Sequence, residues 1–493
     1  MSADLRRAAH AVMLGAFHGP RVPDWLPRAF DDGLAGICLY GDNVPPAGDP
    51  ADGVATVARQ VAALGPDRIV ALDEEGGDVT RLHTRTGSPH PGNAALGVVD
   101  DVAATFAVAA GIGAELRAAG VWLDLAPCAD VNSNPANPVI GTRSFGADPD
   151  LAARHVRAFV EGLAAQGVAA SVKHFPGHGD TSTDSHLALP RVTAPADVLH
   201  RRELVPFRAA IEAGAATIMT SHVVLEAIDP DHPATLSPRV LTGLLRGELG
   251  YEGVIVSDAL DMAGASATLG LGGAAAASLA AGADLLCLGP ETQDHPAALR
   301  VAVDAVVAAV EDGTLPESRL RDAADRVDAL RRNWAGTAGA SGGGTPVIDE
   351  GREVSRRVAT TVIDRIGVSP LTSAPTVIRI DTGTNPAVGT TDWGRLDLPG
   401  TRLDLTAREL ADVGPYGGEV LVVTRRATAH PEVWAWIEAQ LAANPHARLV
   451  DLAWPDPRYA ARTDVISPMG SATVLTDALT DALTDALTGR GEA

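Results

Sequence analysis

Residues 173–186 read Lys173-His174-Phe175-Pro176-Gly177-His178-Gly179-Asp180-Thr181-Ser182-Thr183-Asp184-Ser185-His186, fourteen positions with three histidines, two aspartates and a lysine. Gly177 and Gly179 let the chain turn where side chains would clash, so the polar groups can converge on a loop. Asp184 and His186 form an Asp-x-His pair, and a carboxylate beside an imidazole fixes its tautomer and stabilises its protonated form, as a general acid/base requires. Farther along, Asp258 ends the apolar run Val254-Ile255-Val256-Ser257. An oxocarbenium-like centre needs a carboxylate close on one face and a proton donor on the other. Asp258 and His186 can supply those two roles. The lesser alternative for Asp258 is a helix N-cap, and Asp261, expected inside the following helix, reads as structural.

Asp73-Glu74-Glu75-Gly76-Gly77 closes another apolar run, and Arg81, Arg143 and Lys173 offer donors at comparable positions. An aspartate such as Asp73 can accept two hydroxyls. Mixed donors and acceptors suit a polyhydroxylated ligand, because a buried polar group left unpaired is costly. His174, His178 and His186 could suggest zinc, but their spacing in a glycine-rich loop carries no fixed geometry and no cysteine joins them. A zinc hydrolase and a merely solvated loop are the weaker readings. No metal and no cofactor are expected, since no G-x-x-x-x-G-K phosphate loop is present either.

Such residues need a scaffold that gathers them. Apolar runs recur at 11–17, 36–40, 68–72, 121–127, 168–172, 216–220, 253–256 and 283–288, continuous as strands buried on both faces should be. Helical patterns lie between them, for example at 151–166, with Val156, Phe159, Val160 and Leu163 on one stripe, and at 198–213. Eight such units imply a (β/α)8 TIM-type barrel, with a doubly wound open sheet as runner-up. The barrel is favoured because the runs end in polar residues, among them Asp42, Asp130, Lys173, His222 and Asp258, and the C-terminal strand ends form the active face of such barrels. The domains are therefore expected at 1–334 for the barrel, 335–345 for a Gly-rich linker and 346–493 for a smaller α/β sandwich, with strands near 376–380, 419–424 and 448–452 and a helix near 431–442. The terminal Thr-Asp-Ala-Leu repeat puts Leu475, Leu479, Leu483 and Leu487 on one slowly drifting helix stripe, which reads as a docking helix.

The composition is that of a globular protein, 46% hydrophobic and 20% charged, and the formal net charge of −23 argues against nucleic acid or an anionic membrane as partner. Cys38, Cys128 and Cys287 lie in apolar runs and read as buried thiols of a reducing compartment. No secretory signal pattern opens the chain, so a cytoplasmic location is expected.

The stretch from Lys173 to Gly179, followed by Asp184-Ser185-His186, resembles the signature of bacterial β-N-acetylglucosaminidases of glycoside hydrolase family 3. The stretches 73–77, 139–146 and 253–262 agree, so the resemblance spans roughly 8–330. It implies a retaining exo-glycosidase with Asp258 as nucleophile and His186, assisted by Asp184, as acid/base. It further implies that Asp73, Arg81, Arg143, Lys173 and His174 bind the terminal sugar. Short N-acetylglucosamine-containing oligosaccharides from cell wall or chitin would be the substrates. A departure is Asp78, where relatives commonly carry arginine. Because a histidine acid becomes neutral after protonating the leaving group, a phosphorylase acting on β-N-acetylglucosaminides or β-glucosides is the alternative enzyme. A carbohydrate-binding protein with a degenerate site is the alternative outside catalysis.

Overall fold

A computed structural model of the chain describes residues 3–44, 52–65, 68–183, 189–290, 294–335, 344–383, 387–389 and 393–488. Each of the eight apolar runs holds a strand: β1 (Met13–Gly15), β2 (Gly36–Cys38), β3 (Ile69–Leu72), β4 (Leu123–Asp124), β5 (Ala169–Phe175), β6 (Thr217–Thr220), β7 (Val254–Val256) and β8 (Leu286–Cys287). They pair in parallel in the order β8-β1-β2-β3-β4-β5-β6-β7, and a parallel bridge between Val256 and Leu285 closes the ring. The sheet is a barrel and not an open sheet. Its strands alternate between two cores: Leu14, Cys38, Ile69, Ala71, Val254 and Val256 fill the inside, while Ile37, Val70, Leu72 and Ile255 pack outward. Both faces are apolar, which is why the runs read as continuous. The helix Glu317–Ala335 plugs the lower end with Val327, Leu330 and Trp334.

Among the outer helices, α1 (Val102–Ala118) packs against α2 (Pro149–Ala165), the element expected at 151–166. The helix expected at 198–213 is instead three pieces, with a wider π turn at Leu199–Glu203 between Ala196–Val198 and Leu204–Glu212. Of the expected linker at 335–345, residues 336–343 lie outside the described set, and helices run to Ala335 on one side and from Gly344 on the other.

Helix α3 (Gly344–Ile366) lies along α1 before the second sheet begins. That sheet orders β9 (Thr376–Asp381), β10 (Thr401–Thr406), β11 (Val420–Thr424), β12 (Ala447–Asp451) and β13 (Val465–Ile466) as β10-β9-β11-β12-β13, all parallel. Helix α4 (Pro431–Ala443) covers one face. Helix α5 (Thr473–Thr488) docks on the other through the expected stripe, with Leu479 and Leu483 fully buried there and Leu475 reaching the barrel core. Two strands of this sheet escaped the sequence: β10 is an edge strand with exposed alternate positions, and β13 has two residues. Within the described residues, no helix is long and apolar enough to cross a membrane.

The α1–α3 crossing depends on two glycines: a Cβ on Gly351 would stand 2.7 Å from the Gly111 Cα. Around it, Arg352 donates to Glu115 at 2.7 and 3.0 Å and Ser355 meets His90 at 3.0 Å. Gly351→Val should force the helices apart and cost about 1–3 kcal/mol by overpacking. Urea titration measures it; an unchanged midpoint would mean the two helices do not meet there.

Candidate active site

Strand ends β3, β5 and β7 surround a cavity of about 120 Å³ at the barrel's C-terminal face. Asp73, Arg81, Arg143, Lys173, His174 and Asp258 all line it, so six of the eight expected site residues share one wall. Asp184 and His186 lie outside the described residues. Leu125, Val139, Met219 and Met262 supply apolar wall.

Lys173 ends up only 2% exposed, so its ammonium must be compensated at close range. It donates to Asp73 Oδ1 at 2.6 Å and sits 2.7 Å from Glu75 Oε1. Arg143 grips Glu75 with Nε at 3.0 Å and Nη2 at 2.7 Å, a bidentate pair. Burial alone would push both carboxyls up. Lys173 and Arg81 around Asp73, and Arg143 and Lys173 around Glu75, reverse that and hold both below their ordinary range. Asp73 is then an ionised acceptor at the cavity wall, as a sugar hydroxyl pair would need.

The three carboxylates of Asp73-Glu74-Glu75 do different work. Glu74 turns away and accepts from Thr80 Oγ1 at 2.5 Å and from the amides of Arg81 and Leu82 at 2.8 and 2.9 Å, which fixes the loop that carries Arg81. Gly76 and Gly77 make the turn possible, with φ of +76° and +62°, and a Cβ on Gly77 would meet Gly92 Cα at 2.5 Å.

His174 is supported by Asp130, which sequence reasoning placed only as a polar strand end. Nδ1 lies 2.6 Å from Asp130 Oδ2, and Arg143 Nη2 lies 3.2 Å from Nε2. Because the guanidinium only donates, Nε2 accepts and the ring carries its proton on Nδ1. Asp130 Oδ1 also accepts the His178 amide at 2.7 Å, and the Cys128 thiol donates to Oδ2 at 3.1 Å. Cys128, Asp130 and His174 offer ligand atoms within 4.8 Å of one another. The carboxylate is already saturated by these donors and burial pushes the thiol up, so the grouping reads as a support for the chain after β5 rather than a cation cage.

His178, absent from the expected site set, lines the cavity. Its Nδ1 is 2.8 Å from Thr181 Oγ1, whose hydroxyl donates to the His178 carbonyl at 2.9 Å. Nδ1 therefore carries the proton and Nε2 is the acceptor. Burial pushes this imidazole down to about 4. It is the spacing of His178 and Thr181 in one turn that could have signalled this.

Asp258 does not cap the next helix, which starts at Ala263 with Met262 before it. Its Oδ1 accepts the Ala259 amide at 2.8 Å, and its own amide donates to Thr220 Oγ1 at 3.3 Å. Asp261 precedes that helix instead of lying within it, and its carboxylate packs on Gly289, where a Cβ would stand 1.7 Å from Oδ1.

The second domain reaches this cavity. Ala387 lines it, and the Ala387 carbonyl accepts from Arg81 Nη2 at 2.9 Å. The departure noted at Asp78 explains the docking. Asp78 accepts from Thr142 Oγ1 at 2.8 Å, from Ser471 N and Oγ at 2.7 Å each, and pairs with Arg425 at 2.5 Å. One buried carboxylate thus joins the Arg143 loop, β11 and the start of α5.

Comparison with known proteins agrees with this geometry. The family model described as the glycosyl hydrolase family 3 N terminal domain matches residues 29–330. A beta-hexosaminidase A of Pseudoalteromonas piscicida is 39% identical over 252 residues, 47% of this chain and 42% of that protein, so this chain spans less than half of that relative. A beta-hexosaminidase of Xylella fastidiosa (strain M23) is 36% identical over 290 residues, 57% of this chain and 82% of that one. The structure of a family 3 beta-N-acetylglucosaminidase from Paenibacillus sp. str. FPU-7 superposes with a TM-score of 0.83 at 32% identity, covering 98% of this chain and 97% of the other.

Burial would raise the Asp130 carboxyl, but His174 and the other donors hold it down at about 2, below the ordinary value of about 3.9. A carboxyl depressed by folding stabilises above its unfolded value and loses that as pH falls through its folded one. Asp130→Asn should therefore remove roughly 2 kcal/mol of the stability change between about pH 4 and 2. Acid unfolding followed by circular dichroism measures it, and identical acid profiles for the two proteins would contradict the assignment.

Proposed function

Because the chain belongs to glycosyl hydrolase family 3, we propose that it is a retaining exo-β-N-acetylglucosaminidase acting on cell-wall or chitin fragments. One observation carries the reading: Asp258 shares a single closed wall with the ionised Asp73 and with Arg81, Arg143, Lys173 and His174. Asp73 and Lys173 bind the hydroxyls of the terminal sugar, with Arg81, Arg143 and His174 completing its hydrogen bonds. Apolar Met219 and Met262 pack beside it. Asp258 attacks the anomeric carbon as the leaving oxygen takes a proton from His186, whose imidazolium Asp184 stabilises. Water, deprotonated by the same imidazole, then cleaves the glycosyl–Asp258 ester with overall retention. Asp130 and Thr181 fix the chain at His178, eight residues before His186.

Asp258→Ala should lower hydrolysis of an aryl β-N-acetylglucosaminide by on the order of 10⁴-fold or more while the far-ultraviolet spectrum stays unchanged. Near-normal turnover would remove Asp258 from the role. Proton donation is worth roughly 10²–10⁴ in rate, so His186→Ala should lose that factor on alkyl glycosides and far less on aryl ones with good leaving groups. Equal losses on both would leave His186 a loop residue only.

A further inference from the structure

A carboxylate sits where the helical pattern asks for an apolar side chain. Leu199, Glu203 and Phe207 follow one another four residues apart in the segment that ends at Glu212, and all three are buried. Glu203 closes the π turn Leu199–Glu203, and wide turns of this kind recur at functional sites. Its side chain lies against the backbone of the loop after β5. A Cβ on Gly177 would stand 2.8 Å from Glu203 Oε2 and 2.9 Å from the Glu203 Cβ, so only a glycine, here at φ +127°, admits the carboxyl.

Glu203 Oε1 accepts from Arg202 Nε at 2.5 Å, and Arg202 reaches on with Nη2 to Asp180 Oδ2 at 2.6 Å. Glu203 Oε2 is buried with no hydrogen-bond partner among the described residues. An ionised carboxylate with one oxygen unmet carries the desolvation cost of that oxygen. The charges that face it are mostly of its own sign: Asp180 from the loop after β5 and Asp130 from the loop after β4, against Arg202 from its own turn. Burial, opposed by Arg202 and reinforced by the two aspartates, pushes the carboxyl up to about 7. Glu203 thus stands between two holds on one turn. On the inner side Asp130 Oδ1 accepts the His178 amide at 2.7 Å, and on the outer side Arg202 holds Asp180, two residues farther on.

We infer that Glu203 is a positioning residue for the hydrolysis: with Arg202 it sets how firmly Asp180 ties down the turn that brings His178 to the cavity wall. The inference rests on the glycosidase reading above. With Glu203 neutral, the guanidinium belongs to Asp180 and the turn is held from both sides. With Glu203 ionised, a second carboxylate competes for the same guanidinium and repels Asp130, and the outer tie slackens.

The test compares the wild-type protein with Glu203→Gln, a neutral side chain of the same length, on an aryl β-N-acetylglucosaminide from about pH 5.5 to 8.5, a range that spans the ionisation. The ratio of kcat/KM, variant over wild type, should stay near one at the acid end and rise to about fivefold at the alkaline end, the scale of one half-exposed ion pair. In an Asp180→Asn background Arg202 has no second carboxylate to be drawn from, and the ratio should stay flat. A flat ratio with Asp180 present, or a rise that survives Asp180→Asn, overturns the inference. Should Glu203→Gln fail to fold, Arg202→Gln cuts the tie from its solvent side; it should lower kcat/KM by about fivefold at the acid end and less at the alkaline end, and an unchanged profile overturns the role. Urea titration reads the carboxyl apart from turnover. A carboxyl raised by folding is most stabilising below its unfolded value and loses that as pH rises to its folded one, so the wild-type midpoint should fall against that of Glu203→Gln between about pH 4 and 7. Midpoints that run in parallel would remove the buried carboxyl from the argument and the inference with it. If the wild-type protein leaves the aryl glycoside uncleaved, the glycosidase reading falls and the positioning role falls with it, whatever the urea midpoints show.

Discussion

The interaction on which the site depends is the buried charge cluster of Asp73, Glu75, Lys173 and Arg143. Two cations and two anions have been taken out of water together, and removing any one would strand its partner at a cost of several kcal/mol. The members come from three places: the end of β3, the end of β5 and the 141–143 turn. They meet at 2.6–3.0 Å only if the barrel is closed and the turn is seated. Barrel closure, loop position and the ionised state of Asp73 are thus one constraint seen at three levels. Catalytic preorganisation of this kind is prepaid in folding, since the dipoles and charges need not reorient when substrate arrives.

That constraint also separates what the chain discloses from what it conceals. The barrel was legible because burial on both faces of a parallel sheet writes itself as runs of apolar residues, and all eight runs contain strands. The six wall residues were legible for a related reason: each sits where an apolar run ends, and the C-terminal ends of barrel strands share one face. What could not be read was the division of labour inside Asp73-Glu74-Glu75. Three like side chains in a row are distinguished only by the turn at Gly76 and Gly77, which sends Glu74 back under Arg81 and leaves Asp73 facing the cavity. Asp130 was hidden similarly. Its value lies in accepting from His174, His178 and Cys128 at once, and no local pattern announces a convergence of that sort. Edge strand β10 was missed because it has little to bury.

Asp78 shows how a residue can look like a local oddity and be a long-range joint. Read beside Gly76 and Gly77, its charge had no evident use. In the fold it is the acceptor for donors from Thr142, Arg425 and Ser471, two of which belong to the second domain. Arg425 in turn lies over Trp393, 5.6 Å from the ring centroid, so the joint is braced from the apolar side as well. An arginine at position 78 could not serve here, because it would bring a third cation to Arg425 and Arg143 and have no acceptor role. The Asp78 carboxylate and the seating of the second domain are thus parts of one contact.

A highly acidic protein with a locally basic crevice faces opposed electrostatics at two ranges. Beyond a Debye length of about 8 Å the formal −23 repels an anion. Within it, Arg425 is paired with Asp78 and the Arg426 Nη1 donates to the Pro138 carbonyl. Such contacts exist only when the second domain is seated, because both arginines belong to it and the Ala387 carbonyl lines the barrel's cavity from the same side. The barrel supplies the charge cluster at the cavity wall, and the second domain supplies what lies next to it. On this reading the buried Asp78 carboxylate couples the two, since whatever loosens it moves the Arg143 loop and the arginine crevice together.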